Sequence, residues 1–380
     1  MDGKMSDAEC DAEWEAEKIA EEADRQRKSE SPPELTQDEF LAWRSPRLVA
    51  GNPTPSNNPL WHWLVRTQWS AYQANKLFHG PSSFDAGPAW CFERFGKSET
   101  VLPDGSIVHI GGEHEDYYDP DFFIYNDVTM IAPDGAIEIL DYSPDVFPPT
   151  DFHSATLVGN DIIIIGCLGN PDQRVTGHTP VFKFDVDTRA INCIDASGES
   201  PGWISHHSAE LCLDTRAIIV RGGEILRDGD LPPVENIDTW SFDVASSRWT
   251  RQTMRDWQRW TMMRTDRKPG RLWQIRQALW DRDNGWEGKE NGWKYADKPD
   301  FEALAALYCI DPGMTVVEDG RNYNVYRVII DGITVRFKEH RFFVSAIVEG
   351  RLADERVRTL QEKTVATLCQ LEQSEWHIVD

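Results

Sequence analysis

The chain has 380 residues, a formal net charge of −25, and 40% hydrophobic and 27% charged residues. This composition is typical of a globular protein with room for about two or three domains. No apolar run reaches the roughly 18 residues that a membrane-spanning helix needs, so we expect no membrane partner. The surplus of acids would repel phosphate groups, which argues against nucleic acid as a partner.

The cysteines and the N-terminal stretch bear on the compartment. Seven cysteines are dispersed without a C-x-x-C spacing, a pattern typical of reduced cytosolic thiols that gives no support to a zinc site. The first 30 residues are acidic and lack the apolar centre of a secretory signal. We therefore predict a cytoplasmic protein without a metal or other cofactor.

The first 97 residues indicate helical and irregular structure. Residues 1–34 are predicted to form an acidic arm that is either helical or disordered. Thr36 followed by Glu39 has the form of a capping box, so a short helix should begin there. Apolar residues at helical spacing over 59–77 predict one amphipathic helix. We expect residues 35–97 as a whole to pack on the core.

From about residue 98, short β-branched runs alternate with turn residues, which indicates a sandwich, a barrel or a propeller. An internal repeat distinguishes these folds. A glycine follows an apolar run at Gly111, Gly166 and Gly222, at spacings of 55 and 56 residues. Other landmarks recur in register with these glycines. They are His153-Ser154, His207-Ser208, Phe184-Asp185, Phe242-Asp243 and Trp249.

In these features, residues 98–253 resemble the kelch repeat, which has about 50 residues per repeat and four strands per propeller blade. The resemblance implies a kelch-like β-propeller core. The ring would be complete or partial, because three repeats are visible where propellers have about four to eight blades. Cys167 replaces the second glycine of the second repeat, and Ile137 and Ile191 stand where the third repeat has Trp249.

The remaining third of the chain predicts two additions to this core. Residues 254–310 are a Trp-rich segment with helical spacing, whose tryptophans we expect to anchor helices to the propeller. In residues 311–380, alternating apolar runs precede a helical pattern, which predicts a small β-β-β-α domain. This last part is either a separate domain or the completion of the ring. The predicted fold is thus mainly β, with helical N-terminal and Trp-rich helical additions.

An acidic segment directly follows the first glycine pair, where we expect a loop at one face of the propeller. Its spacing is not that of an EF-hand, so we predict no metal there. The segment is either a binding loop or a solvated acidic loop. The candidate residues for binding a partner or ligand are Glu113, His114, Glu115, Asp116, Tyr117 and Tyr118. His153 and His207 are interpreted as structural positions that bond to the backbone of a neighbouring strand.

Common nucleotide-binding and hydrolase motifs are absent from the sequence, and we assign no catalytic residue. The sequence favours a non-enzymatic protein-interaction module that presents a rigid acidic propeller surface to another protein. The charge favours a basic partner, as in an immunity or inhibitor protein, although acidity that serves solubility alone is an alternative. The other functional hypothesis is a propeller enzyme or small-molecule-binding protein with its site in the propeller mouth.

Overall fold

The computed structural model of the chain describes residues 7–47, 49–115, 120–229, 231–274, 276–277, 313–319 and 324–379. The described residues form a mainly β structure with several antiparallel sheets and few helices. No helix within these ranges has both the length and the apolar character needed to cross a membrane.

The chain divides into two compact units. Unit 1 comprises Met1–Ile225 and Thr239–Gln252, and unit 2 comprises Leu226–Asp238 and Thr253–Asp380. The helices with described bounds are α1 (Asp7–Lys28), α2 (Gln37–Trp43), α3 (Pro59–Thr67), α4 (Ala71–Leu77), α5 (Ser83–Ala86) and α6 (Asp354–Glu372), with a 3-10 turn at Pro171–Gln173. Residues 271–274 and 276–277 are also helical.

The strands up to residue 193 are β1 (Thr54–Ser56), β2 (Ser98–Val101), β3 (Ile107–Ile110), β4 (Glu113–His114), β5 (Phe123–Ile124), β6 (Val128–Ile131), β7 (Ile137–Asp141), β8 (Ser154–Val158), β9 (Asp161–Ile165), β10 (Val181–Asp185) and β11 (Ile191–Cys193). The others are β12 (Ser197–Gly198), β13 (Ile204–Ser205), β14 (Ser208–Leu211), β15 (Ala217–Arg221), β16 (Glu224–Ile225), β17 (Val234–Glu235), β18 (Trp240–Asp243), β19 (Arg248–Arg251), β20 (Arg259–Arg264), β21 (Thr315–Asp319), β22 (Val325–Ile330), β23 (Ile333–Glu339), β24 (Phe343–Val348) and β25 (Trp376–Val379).

The N-terminal helices confirm one predicted boundary and correct another. Thr36 caps α2, and its side chain and that of Glu39 make the reciprocal bonds of a capping box. The single helix predicted over 59–77 is wrong, because the chain forms α3 and α4 instead. Gln68 adopts a left-handed conformation that ends α3, and Ser70 opens α4 with a second capping box.

Each of the three predicted repeats forms one antiparallel sheet in unit 1. The strand orders are β1-β7-β6-β3-β2, β11-β10-β9-β8 and β12-β19-β18-β15-β14. Within each sheet, four strands follow one another in sequence as an antiparallel meander. The first sheet gains β1 as an extra edge strand, and the third gains β12, which pairs in parallel with β19.

Strand β9 explains how these sheets share a core. Side chains alternate across a strand, and four consecutive isoleucines occupy β9. Ile162 and Ile164 pack in a cluster with residues of the first sheet, whereas Ile163 and Ile165 pack in a cluster with residues of the third. All four are at most 1% exposed, so the second sheet is covered on both faces.

The first glycine pair lies where backbone segments meet closely. Gly111 has φ of +58°, and a Cβ placed on it would lie 2.3 Å from the carbonyl oxygen of Thr150. The next residue, Gly112, donates its N–H to that same oxygen at 2.8 Å. Gly222 has a similar φ of +63°, but a Cβ there would meet no described atom within 4 Å.

A buried ion pair links the helical segment to the first sheet. The Arg94 guanidinium and the Asp127 carboxylate form two hydrogen bonds, and their side chains are only 4% and 8% exposed. Trp90 Nε1 donates to Asp127 Oδ2 at 2.7 Å. Arg94 also donates to the carbonyl oxygens of Cys91 and Gly111 and lies 3.4 Å from the ring centroid of Tyr125.

Unit 2 is built on one antiparallel sheet with the order β21-β22-β23-β24-β20-β25. Strands β22, β23 and β24 followed by α6 give the β-β-β-α sequence expected near the C-terminus. The segment predicted to be helical is helical at residues 271–274 and 276–277, but it also contains strand β20, and this is a correction. This strand pairs with β24 and β25 through Thr261, Met262 and Met263. The part of that predicted helical segment from 278 to 310 lies outside the described residues.

We expect Gly111→Ala to destabilise the protein much more than Gly222→Ala. Both variants place a Cβ at a left-handed φ, which costs about 1–2 kcal/mol. Only the Gly111 variant adds a collision with backbone, for which we expect roughly 1–3 kcal/mol more. Urea denaturation monitored by tryptophan fluorescence measures the difference. Equal losses would show that the segment around Thr150 yields to the added methyl group.

We also expect Arg94→Met to lower the free energy of unfolding by about 3–5 kcal/mol, because it leaves the Asp127 carboxylate buried without its cation. Arg221→Met is the matched control. Arg221 pairs with Glu210, but both side chains are at least half exposed, and such pairs contribute about 0–1 kcal/mol. Similar losses in the two variants, measured by the same denaturation assay, would contradict this view of Arg94.

Candidate functional site

The structure describes three of the six predicted binding residues, namely Glu113, His114 and Glu115. The other three, Asp116, Tyr117 and Tyr118, lie outside the described residues. The expected loop is in part a strand, because Glu113–His114 forms β4 and pairs with β5. Glu113 also exchanges two backbone hydrogen bonds of 2.8 Å with Phe95. The acidic segment therefore starts from a fixed backbone.

Glu115 ends this short strand in a left-handed conformation, with φ of 61°. Its carboxylate lies 3.2 Å from Nε2 of His114, which is buried. Burial lowers the pKa of His114, although the carboxylates of Glu115 and Asp121 oppose that effect. His114 is consequently neutral near pH 7 and adds no positive charge beside Glu115.

Glu115 lines a cleft of about 790 Å³ in unit 1. One wall consists of Glu115, Pro120 and Asp121, and the other of α4, α5 and the residues between them. Tyr72 and Phe84 on the helical wall are 69% and 85% exposed. Sequence reasoning missed this wall, since it lies some 30 to 45 residues before the acidic segment and carried no motif beyond a helical period.

A second feature is a buried carboxyl group that the sequence did not single out. Asp151 is fully buried, and its Oδ1 accepts a 2.6 Å hydrogen bond from the N–H of Gly169. The other oxygen, Oδ2, is buried without a hydrogen-bond partner among the described residues.

The surroundings of Asp151 favour its protonated form. Burial raises the pKa of the Asp151 carboxyl, and this outweighs the opposing effects of the hydrogen bond from Gly169 and of the charge of Arg174. The sequence signal was slight: Asp151 stands two residues before the landmark His153, where the third repeat has Ser205.

The repeat histidines make equivalent contacts with serine. His153 Nε2 lies 2.8 Å from Oγ of Ser98, and His207 Nε2 lies 2.9 Å from Oγ of Ser154. The partners are side-chain hydroxyls, not the backbone groups that we expected. Burial lowers the pKa of His153 to about 3 and that of His207 to about 4, so both rings are neutral. Within the described part of the chain, no three His, Cys, Asp or Glu side chains are grouped to hold a metal ion.

Comparisons with known proteins add little to this geometry. No family model matches the chain, and no curated protein does. Similar solved structures include "Structure of YjhT", with 15% identity and a TM-score of 0.34 over 43% of this chain and 56% of that one. They also include a fungal alcohol oxidase of the AA5 family in complex with copper, with 11% identity and a TM-score of 0.29 over 43% of this chain and 44% of that one. The chain thus spans about half the length of each, and scores this low carry no argument about function.

Proposed function

We propose that this protein is a non-enzymatic interaction module and that its cleft binds a basic segment of another protein. The observation that carries this proposal is the pairing of walls in one cleft: exposed aromatic rings on one side and the carboxylates of Glu115 and Asp121 on the other. Together these walls match a segment with an apolar residue next to a lysine or arginine.

The aromatic wall supports binding to protein. Tyr72 and Phe84 keep most of their surface in water, although burying large rings is favourable. Exposed apolar side chains rimmed by polar groups are typical of interaction sites. Aromatic residues are also enriched in the centres of protein interfaces, where a few of them supply most of the binding free energy.

The opposite wall supports a basic partner. The sequence from 113 to 121 contains five acids and one histidine and has no lysine or arginine. Glu115 and Asp121 line the cleft itself, where Lys76 is the basic residue of the helical wall. A net charge of −25 on the whole chain adds a long-range attraction for cations, which raises association rates at low salt.

The detailed fold of unit 1 and the cellular location of the protein are part of the same proposal. We propose that the three four-stranded sheets are blades of a kelch-like propeller, as the repeat landmarks imply, and that β4 lies at one face of it. The free thiols of Cys91, Cys167, Cys193, Cys212 and Cys369 support a cytoplasmic location.

The test is an affinity purification of the tagged full-length chain from the lysate of its host, read by mass spectrometry at low and high salt. We expect a near-stoichiometric partner that is lost as salt rises. For that partner, Tyr72→Ala and Phe84→Ala should each weaken binding about 30-fold or more, the effect of losing an interface residue worth about 2 kcal/mol. Leu213→Ala is the matched control, because Leu213 is 83% exposed and does not line the cleft.

The carboxylate wall is tested separately with Glu115→Gln and Asp121→Asn. Each change removes one charge and keeps the side-chain shape, so the affinity should depend less steeply on salt than it does for the unmodified protein. Unchanged affinity in both aromatic variants would exclude the cleft as the binding site. An unchanged salt dependence in the carboxylate variants would exclude this wall as the source of the electrostatic attraction.

A further inference from the structure

Unit 2 contains a pocket of its own, on the face of its sheet that points away from α6. Side chains alternate between the two faces of a strand. In β20, Trp260 and Met262 pack in one cluster with buried residues of α6. Arg259 and Thr261, which alternate with them, therefore lie on the opposite face of the sheet.

Strands β24 and β25 bring further side chains to this opposite face. Ile347 pairs with Arg259, whereas Ser345 and Val379 pair with Thr261 from its two sides. Thr261 and Ile347 are each only 4% exposed. Side chains buried this deeply on the outer face of a sheet require a cover from another part of the chain.

That cover is the segment that leads into β17 and includes it. The Arg259 guanidinium donates to the carbonyl oxygen of Glu235 at 3.0 Å. Arg336, which lies on β23, holds the Glu235 carboxylate with two hydrogen bonds of 2.7 and 2.8 Å. Earlier in the segment, Nε of Arg227 donates to the carbonyl oxygen of Pro232 at 2.7 Å. These contacts position two guanidinium groups, one on the sheet and one on its cover.

A pocket of about 220 Å³ lies between the sheet and this cover. Its lining is apolar at Val234, Ile347 and Val379 and carries the hydroxyl-bearing residues Thr261 and Ser345. A water molecule takes up about 30 Å³ in the liquid, so the pocket has the volume of roughly seven waters. That volume suits a small molecule, not a peptide segment.

The lining of this pocket is positively charged. Its ionisable residues are Arg227, Arg259 and Glu235, two positive charges less one negative, which gives +1 in a chain with a net charge of −25. The Glu235 carboxylate is held by Arg336, which does not itself line the pocket. The planar fork of an arginine matches a carboxylate, and such charge-assisted hydrogen bonds are about twice as strong as neutral ones.

We propose that this pocket binds a small carboxylic acid with an apolar body. Its carboxylate pairs with Arg227 and Arg259, and its carbon atoms contact Val234, Ile347 and Val379. Inorganic phosphate fits this lining poorly, because some of its oxygens would lose water against apolar side chains without a compensating hydrogen bond. The proposal does not depend on the function proposed for the cleft, since the lining residues of the two pockets do not overlap.

Methyl NMR of the full-length chain with labelled isoleucine δ1 groups tests the site. The protein is titrated with isovalerate and, separately, with benzoate at about pH 7, where both acids are ionised. We expect the Ile347 methyl signal to shift and to saturate with at least one of them. Ile330, which is buried in the cluster on the opposite face of the sheet, provides an internal control that should not shift.

Two further probes separate the parts of the ligand. Isovaleramide has the shape of isovalerate without its charge and should bind at least about tenfold more weakly, since hydrogen bonds to a charged group are the stronger ones. Inorganic phosphate has charge without an apolar body and should leave the Ile347 signal in place.

The arginines are tested with Arg227→Gln and Arg259→Gln, each of which should weaken binding of the acid about tenfold or more. Arg351→Gln is the matched control and should bind as the unmodified protein does. It removes the same charge from unit 2, but Arg351 is 55% exposed, pairs with Asp256 and does not line the pocket. Either test variant suffices if the other fails to fold.

Four results would overturn the proposal. The first is an Ile347 signal that moves with neither acid, and the second is binding of isovaleramide or phosphate as tight as that of isovalerate. The third is unchanged affinity in a folded variant of Arg227 or Arg259. The last is an equal loss in Arg351→Gln, which would assign the effect to the overall charge of the protein and not to this pocket.

Discussion

The buried ion pair between Arg94 and Asp127 sets the geometry on which the candidate site depends. Arg94 is held by the carboxylate of Asp127 and in turn donates to the carbonyl oxygens of Cys91 and Gly111. Gly111 opens the glycine pair that leads into β4. An arginine with several fixed donors can hold such backbone segments at once. Its desolvation is offset by the pairing and by the Tyr125 ring, so the arrangement is costly to disturb.

Where the fold followed from the sequence, the signal was local. The glycines recurring at spacings of 55 and 56 residues mark one sheet each, and the four isoleucines of β9 mark a strand covered on both faces. Thr36 and Glu39 gave a helix start, since a capping box involves only four residues. The error at β20 depended on distant contacts. Strand β20 pairs with β24 and β25, which lie some 80 to 120 residues later, so its own sequence could not reveal the pairing.

The same division applies to the site. The acidic segment was visible because its charges are contiguous, and the structure places Glu115 in a cleft wall. Its opposite wall was invisible, because Tyr72 reads as an ordinary helix residue until its exposure is known. Asp151 was missed for a related reason: nothing in the sequence around it indicates that its carboxyl is completely buried. Composition reports charge, but only packing reports whether that charge is solvated.

The assignment of residues to the two units has a consequence for the order of synthesis. The chain enters unit 2 at Leu226–Asp238, returns to unit 1 for Thr239–Gln252, and then enters unit 2 again. Glu235 in the early segment bonds to Arg336, about 100 residues later. On the ribosome, the Glu235 carboxylate must therefore wait for Arg336 until most of unit 2 has been translated. Meanwhile, Thr239–Gln252 can already supply β18 and β19 to the third sheet. A chain shortened at Gln252 would keep that sheet and leave Glu235 without its ion-pair partner Arg336.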